Sequence, residues 1–245
     1  MKLSLFFLII IICPFIFFGT IKSSNQKEIN NHTIEYEPTL NKTTDNYSKV
    51  VALTFDDGPS NYTDEILDVL EKYNVTATFF VVGTNLNTKY NNTMARLIKL
   101  GNEVGIHGYS HKEFTKIKQS KVVEEIEYTN KLLKGFNIEA KYIRPPYGSI
   151  NNKLKKIIEY PIILWNVDTL DWKYKDALKI YNNSIDDIHD GSIILMHDHY
   201  LSSVKTLDLI IPKLQEDGYK IVNITELFSL KDINLENGKT YRSAK

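Results

Sequence analysis

Beyond Lys49 the chain alternates short β-branched runs with longer stretches in which apolar residues recur at helical spacing. The runs Val50 to Phe55, Val75 to Val82, Glu103 to Ile106, Lys141 to Ile143, Ile162 to Val167, Ser192 to Met196 and Lys220 to Val222 predict strands. Helices are expected between them. In the first, Ile66, Leu67, Val69, Leu70 and Tyr73 mark one face, while Thr63, Asp64 and Glu65 supply a cap and acids suited to the positive end of the helix dipole. Others cover Lys89 to Leu100, Ser120 to Lys134, Asn151 to Glu159, Lys175 to His189, Val204 to Glu216 and Ile224 to Leu230. Seven strands, each followed by a helix, imply an α/β fold whose parallel strands all end on one face. Such a sheet can close into a barrel, where chemistry collects at the C-terminal strand ends.

The leading residues break this pattern. Lys2 precedes an uncharged run from Leu3 to Phe18, 16 residues against the roughly 20 that cross a bilayer core. Residues 1–24 read as a signal peptide or an N-terminal membrane anchor; Ile21 with Ser23 matches the small-residue cleavage rule poorly, so retention and release both stay open. Residues 25–49 are polar, without apolar periodicity, and read as a linker. The folded domain is assigned to 50–230 and a C-terminal tail to 231–245.

Charge and cysteine content narrow the chemistry. The 30 basic and 30 acidic residues cancel, leaving no basic field to concentrate nucleic acid, and membrane contact is confined to the N-terminal segment. The single cysteine, Cys13, lies in the leading apolar run, so the folded part has neither an internal disulfide nor a cysteine zinc site. A metal there must use His, Asp or Glu.

Such residues gather at the predicted strand ends. The first strand stops at Asp56-Asp57-Gly58-Pro59; neighbours on an extended chain point in opposite directions, so one carboxylate can bind a cation while the other faces a substrate. The same residues also suit an ordinary strand-to-helix turn. The third strand leads into His107 and His111, whose imidazoles can share an ion if the segment makes a helical turn. With Asp57 they form a two-histidine, one-carboxylate set suited to zinc or another divalent transition ion. Arg144-Pro145-Pro146-Tyr147-Gly148 follows the fourth strand, where Arg144 can hold a carboxylate and Tyr147, unlike the prolines, keeps its N–H. The fifth strand ends at Asp168, Asp171 and Trp172, and the sixth delivers His197. Trp165, inside a strand, is assigned to packing, and His199 to an exposed position.

Taken in order, Thr54-Phe55-Asp56-Asp57-Gly58, His107 with His111, Arg144 to Gly148, Asp168 with Asp171-Trp172, and Leu195 with His197 resemble the successive motifs of the polysaccharide deacetylases, carbohydrate esterase family 4 with its NodB-homology domain. The resemblance covers about 180 residues, Val50 to Leu230. It implies a distorted (β/α)7-type barrel with parallel strands, and metal-dependent removal of acetyl groups from polysaccharides outside the cytoplasm. Gly108 departs from it: family members usually carry Ser or Thr there, whose hydroxyl braces the loop, so looser loop support is expected.

By this resemblance Asp57, His107 and His111 are the metal ligands for one divalent ion, zinc first, with cobalt or another transition ion as alternatives. Asp56 acts as base toward water and His197 as acid toward the leaving nitrogen. Arg144 orients Asp56, and Asp171 orients His197. The Tyr147 backbone N–H stabilises the oxyanion, Trp172 and Leu195 wall a pocket for the acetyl methyl, and Asp168 has a lesser role. The expected partner is an acetylated polysaccharide acted on by a monomer, with N-acetylglucosamine in peptidoglycan preferred over chitooligosaccharide, xylan or a secreted glucosamine polymer. A non-catalytic glycan-binding module on the same fold is the competing class.

Overall fold

The computed structural model describes residues 47–245. Residues 1–24 and most of the linker, with Cys13 and His32, lie outside the described residues. In chain order the elements are β1 (Lys49–Asp56), α1 (Thr63–Lys72), β2 (Thr78–Val81), α2 (Asn91–Lys99), β3 (Glu103–Ile106), α3 (Gln119–Gly135), α4 (Asn152–Lys155) and β4 (Ile162–Ile163). Then come β5 (Val167–Asp168), α5 (Asp171–Tyr174), α6 (Ala177–Ser184), β6 (Ile193–His197), α7 (Leu201–Glu216), β7 (Tyr219–Val222), α8 (Ile224–Leu230) and β8 (Thr240–Tyr241). The α/β class with parallel strands is as the alternating pattern predicts, and α8 coincides with its predicted range.

The hydrogen-bonded order is β3-β2-β1-β6-β5, all parallel. Single bridges then continue from Ile106 to Ile143 and from Ile143 to Ile162, so the stretch from Ile162 to Asp168 closes the ring back to β6. The closure is irregular. The expected fourth strand is reduced to Ile143, and the expected fifth splits into β4 and β5 because its two ends pair with different neighbours. β7 does not form a separate stave: it flanks Lys49 to Ala52 of β1, while β2 flanks Thr54 to Asp56.

Three local expectations change. α4 is a single turn, Asn152–Lys155, capped by Asn151 Oδ1, and does not run on to Glu159 as expected. Thr63 is the first residue of α1 rather than its cap; its hydroxyl accepts from Ser60 N and donates to Asp198 Oδ2 at 2.6 Å. Residues 231–245 are not a free tail. β8 pairs with β4, Ala244 is buried, and Ile233, Leu235 and Tyr241 pack on a core cluster formed with Val50, Ala52 and Ile193.

Period two determines which side chains enter the barrel. On β1, Val51, Leu53 and Phe55 join the cluster that includes the apolar faces of α1 and α7, whereas Val50 and Ala52 belong to the other cluster. β6 repeats this, with Ile194 and Met196 in the first cluster and Ile193 in the second. Thr54 and Asp56 continue the inward set of β1, and Leu195 and His197 that of β6. The hydrophobic outward rows anchor the strands; the inward rows turn polar at their C-terminal ends.

Candidate active site

Asp56 and His197 are register partners on β1 and β6, so adjacent strands deliver both to the interior face at the same height. Asp57 does not point away as an extended chain requires. Its φ of 75° breaks the strand, placing Oδ1 3.4 Å from His107 Nε2 and 3.0 Å from His111 Nε2. Asp56 Oδ2 lies 3.5 Å from the same His107 nitrogen. Nor do the histidines need a helical turn: they converge from a loop in which Gly108 and His111 both have positive φ.

The donor set suits a divalent cation. Asp57, His107 and His111 each offer one ligand atom, all within 4.8 Å of one another. Asp57 Oδ1 is buried without a hydrogen-bond partner among the described residues, since the close His111 nitrogen lacks hydrogen-bond alignment. An orphaned buried carboxylate oxygen is costly unless a cation meets it. Burial pushes the Asp57 carboxyl up, but the imidazoles of His111, His107 and His197 outweigh it and hold the group well below the usual carboxylate range. His107 Nδ1 lies 2.6 Å from the Arg144 carbonyl, which can only accept, so Nδ1 carries the proton and Nε2 presents its lone pair. Burial lowers the His107 pKa against the opposing charges of Asp56 and Asp57, which favours the neutral ligand form.

Two buried networks hold the flanking groups. Arg144 is fully buried; Nη1 donates to Asp56 Oδ1 at 2.7 Å and Thr54 Oγ1 at 2.9 Å, while Nε and Nη2 donate to the carbonyls of Ile163 and Leu164. Asp171, also fully buried, lies with Oδ1 2.7 Å from His197 Nδ1 and accepts from the amides of His197 and Trp172 and from Ser203 Oγ. Burial alone lowers the His197 pKa. The hydrogen bond and charge of Asp171, with the charges of Asp56 and Asp57, more than reverse this and raise it to about 9. His197 therefore remains protonated through neutral pH.

Asp56, Asp57, His107, His111 and His197 line a cleft of about 380 Å³ with Tyr147, Asp168, Trp172 and the buried Leu195, while Arg144 and Asp171 support it from behind. Tyr147 is 66% exposed and packs 4.7 Å from the His111 ring, and Trp172 is 48% exposed, so both rings stand at the mouth. A larger cavity of about 690 Å³, between Tyr142, Tyr160 and the C-terminal segment, contains none of these groups. Every residue singled out at the strand ends is thus brought to one place. Trp165 packs as assigned, against both core clusters and over Arg144, and from the same face of the chain as Ile163 it also lines the cleft.

The sequence profile described as Polysaccharide deacetylase matches residues 43–160. A peptidoglycan-N-acetylglucosamine deacetylase of Bacillus cereus is 41% identical over 74% of this chain and 70% of its own length. The chain belongs to the polysaccharide deacetylase family. A bifunctional xylanase/deacetylase of Pseudobutyrivibrio xylanivorans is 40% identical over 76% of this chain and 31% of that protein. A family 4 acetyl xylan esterase from Clostridium thermocellum, solved with a cobalt ion, is 34% identical with a TM-score of 0.76, covering 80% of this chain and 98% of that one. The chain spans less than half the length of several curated relatives it matches.

In this chain Gly108 does not leave the histidine loop unsupported. Glu125 on α3 reaches into it: Oε2 accepts from Tyr109 N at 2.8 Å and Ser110 N at 2.6 Å, and Oε1 accepts from Ser110 Oγ at 2.6 Å. Gly108 itself has φ +77°, and a Cβ there would sit 3.3 Å from the Phe114 ring, so glycine fits the turn that a serine would strain. The sequence contained a signal for Glu125, a charged residue on a helix face otherwise made by Val122, Ile126, Thr129 and Leu133. Thr54 was equally legible, two residues before Asp56 on the same strand face. Ser203 and Tyr200 carried no comparable mark.

Glu125→Ala is expected to remove the brace while leaving every ligand in the chain. Losing a group that positions metal ligands lowers metal affinity by about 10–100-fold, which chelator competition after zinc loading measures. Glu125→Gln, which keeps an acceptor for the loop amides, should recover most of that affinity. Equal affinity in wild type and Glu125→Ala would show that the loop holds itself.

Proposed function

We propose that this chain is a metal-dependent deacetylase of a cell-envelope polysaccharide, removing N-acetyl groups from N-acetylglucosamine in peptidoglycan. The observation that carries this reading is the in-register placement of a carboxylate, Asp56, and a cationic imidazole, His197, beside a three-ligand cluster. Hydrolysis of an acetamide requires all three functions. An amide carbonyl is a poor electrophile, and its amine leaves only when protonated.

Asp57, His107 and His111 would hold a divalent transition ion, with zinc as first choice and cobalt as alternative, which when bound polarises the acetyl carbonyl and acidifies water. Asp56, fixed through Oδ1 by Arg144, takes the proton of the attacking water on its other oxygen. His197, with Nδ1 committed to Asp171, gives the proton on Nε2 to the departing nitrogen. The Tyr147 backbone N–H, carried on a left-handed residue behind two prolines, is assigned to the developing oxyanion, a class of contact worth about 3–4 kcal/mol per donor. Leu195 and Trp172 wall the space for the acetyl methyl. Asp168 also lines the cleft, with Oδ1 accepting from Leu170 N.

The peptidoglycan assignment draws on the named substrate of the Bacillus cereus relative and places the catalytic domain outside the cytoplasmic membrane, joined to residues 1–24 through the polar linker. Acetylated xylan is the second reading, favoured by the likeness to the xylanase/deacetylase and the acetyl xylan esterase. A module that only bound glycan would not need a buried arginine aimed at Asp56 or a buried carboxylate aimed at His197.

Purified protein incubated with acetylated peptidoglycan fragments, chitooligosaccharides and acetylated xylan should release acetate, with mass spectrometry showing loss of single acetyl groups and the fastest rate on the peptidoglycan fragments. Excess chelator should stop release, and Zn²⁺ or Co²⁺ should restore it. Turnover that persists in chelator would remove the metal from the scheme, and a faster rate on xylan would transfer the assignment to that polymer.

A further inference from the structure

A second groove, about 430 Å³ in volume, lies beside the cleft on the loops that follow β1 and β2. Its lining includes Asn61, Tyr62, Asn87, Lys89, Tyr90 and His199. Two contacts join it to the reaction centre. Asn85 Nδ2 donates to the Asp57 carbonyl at 2.8 Å, and the Tyr200 ring packs edge-on to both His197 and His199, with centroids 6.4 and 6.2 Å away.

The composition of the groove is one-sided. No acidic side chain lines it among the described residues. Lys89 Nζ is held by neutral oxygens only, Asn61 Oδ1 and Tyr90 OH, and no carboxylate among the described residues lies within ion-pair distance of it. Among the described residues the other lysines whose ammonium is hydrogen-bonded, Lys72, Lys121, Lys213, Lys220, Lys231 and Lys239, each bond a carboxylate. An ammonium has three donors. Two are used here to fix its position, leaving one donor and an uncompensated charge. Around it stand amide side chains and two tyrosine rings, the groups that hydrogen-bond sugar hydroxyls and stack on sugar C–H faces.

We infer that this groove seats a carboxylate-bearing portion of the glycan next to the residue being deacetylated, with Lys89 as the anion contact. The inference rests on the proposed deacetylase reading and sharpens it. A neutral chitin or xylan chain offers this ammonium hydrogen-bond acceptors but no counter-charge, whereas a sugar substituted with a carboxylate, or a sugar carrying a short acidic peptide, supplies both. Lys89 is a specificity residue in this account, remote from the reacting atoms.

The test compares metal-loaded wild type, Lys89→Ala and Lys89→Glu on three acetylated oligosaccharides of equal length: neutral, ring-carboxylated, and bearing an acidic peptide. Both deacetylation kinetics and equilibrium binding are measured. In wild type the anionic oligomers should bind more tightly. Lys89→Ala should reduce the preference for anionic over neutral oligomer by about fivefold, chiefly through KM, and Lys89→Glu should invert it. The arm with the larger loss identifies whether the carboxylate sits on the ring or on the peptide. Equal effects on neutral and anionic oligomers, or none, would overturn the inference while turnover leaves the deacetylase reading standing. Lys89-dependent binding without turnover of any oligomer would support the groove and sink the deacetylase reading instead.

Discussion

Asp56→Asn is expected to lower kcat for deacetylation by about 10³-fold, within the range that a positioned acid or base contributes, while the zinc-to-protein ratio stays that of wild type. The two halves of this result have separate causes. Asparagine keeps the shape of aspartate, and its carbonyl oxygen can still accept from Arg144 Nη1, which now reaches Asp56 Oδ1 at 2.7 Å. What it loses is the second oxygen's ability to take a proton from water. The ligand cluster uses Asp57, His107 and His111 and does not include Asp56, so metal should remain. His107→Ala is the comparison that separates these roles, because it removes one of three ligand atoms and should lose metal and activity together. Substantial hydrolysis by Asp56→Asn would remove that residue from the base role, and full zinc occupancy in His107→Ala would remove that histidine from the ligand set.

The contrast between neighbouring carboxylates also marks where sequence reasoning reached its limit. Alternation along β1 correctly aligns Asp56 with the polar interior, since Val50, Ala52, Thr54 and Asp56 share a face whatever the details of closure. Asp57 follows a different rule. Its φ of 75° turns it back toward His107, and no periodicity encodes a left-handed residue at a strand end. The same holds for the histidine pair, whose spacing suggests a helical turn but whose convergence comes from positive φ at Gly108 and His111. The parallel α/β layout was legible through its alternation of strand and helix, and the distorted barrel came with the family resemblance, yet where the distortion falls was not legible. The run Ile162 to Val167 looks like one strand because apolar residues fill both of its ends, even though Asn166 is exposed and the two ends pair with different partners. β8 escaped notice because two paired residues leave no period to read.

Arg144→Met is the second large effect, and it falls on stability. Measured on metal-free protein by urea unfolding, the substitution is expected to cost about 3–5 kcal/mol, the range for removing one partner of a buried ion pair. Arg144 is fully buried, and Asp56 is 3% exposed, so the carboxylate left behind recovers little hydration from the cleft. The substitution also strips hydrogen bonds from the carbonyls of Ile163 and Leu164 and from Thr54 Oγ1, although Thr54 keeps its bond to the Ile194 carbonyl at 2.6 Å. Methionine preserves contact with the Phe80 ring, over which the guanidinium now lies at 4.1 Å, so the loss reports charge and hydrogen bonding more than volume. If the stranded charge dominates, adding Asp56→Asn to Arg144→Met should return about half of the lost stability, because a neutral amide is cheaper to bury than a carboxylate. Additive losses in the double variant would instead assign the cost to the two carbonyls, and a loss below about 1 kcal/mol would mean that water reaches Asp56 when the arginine is gone.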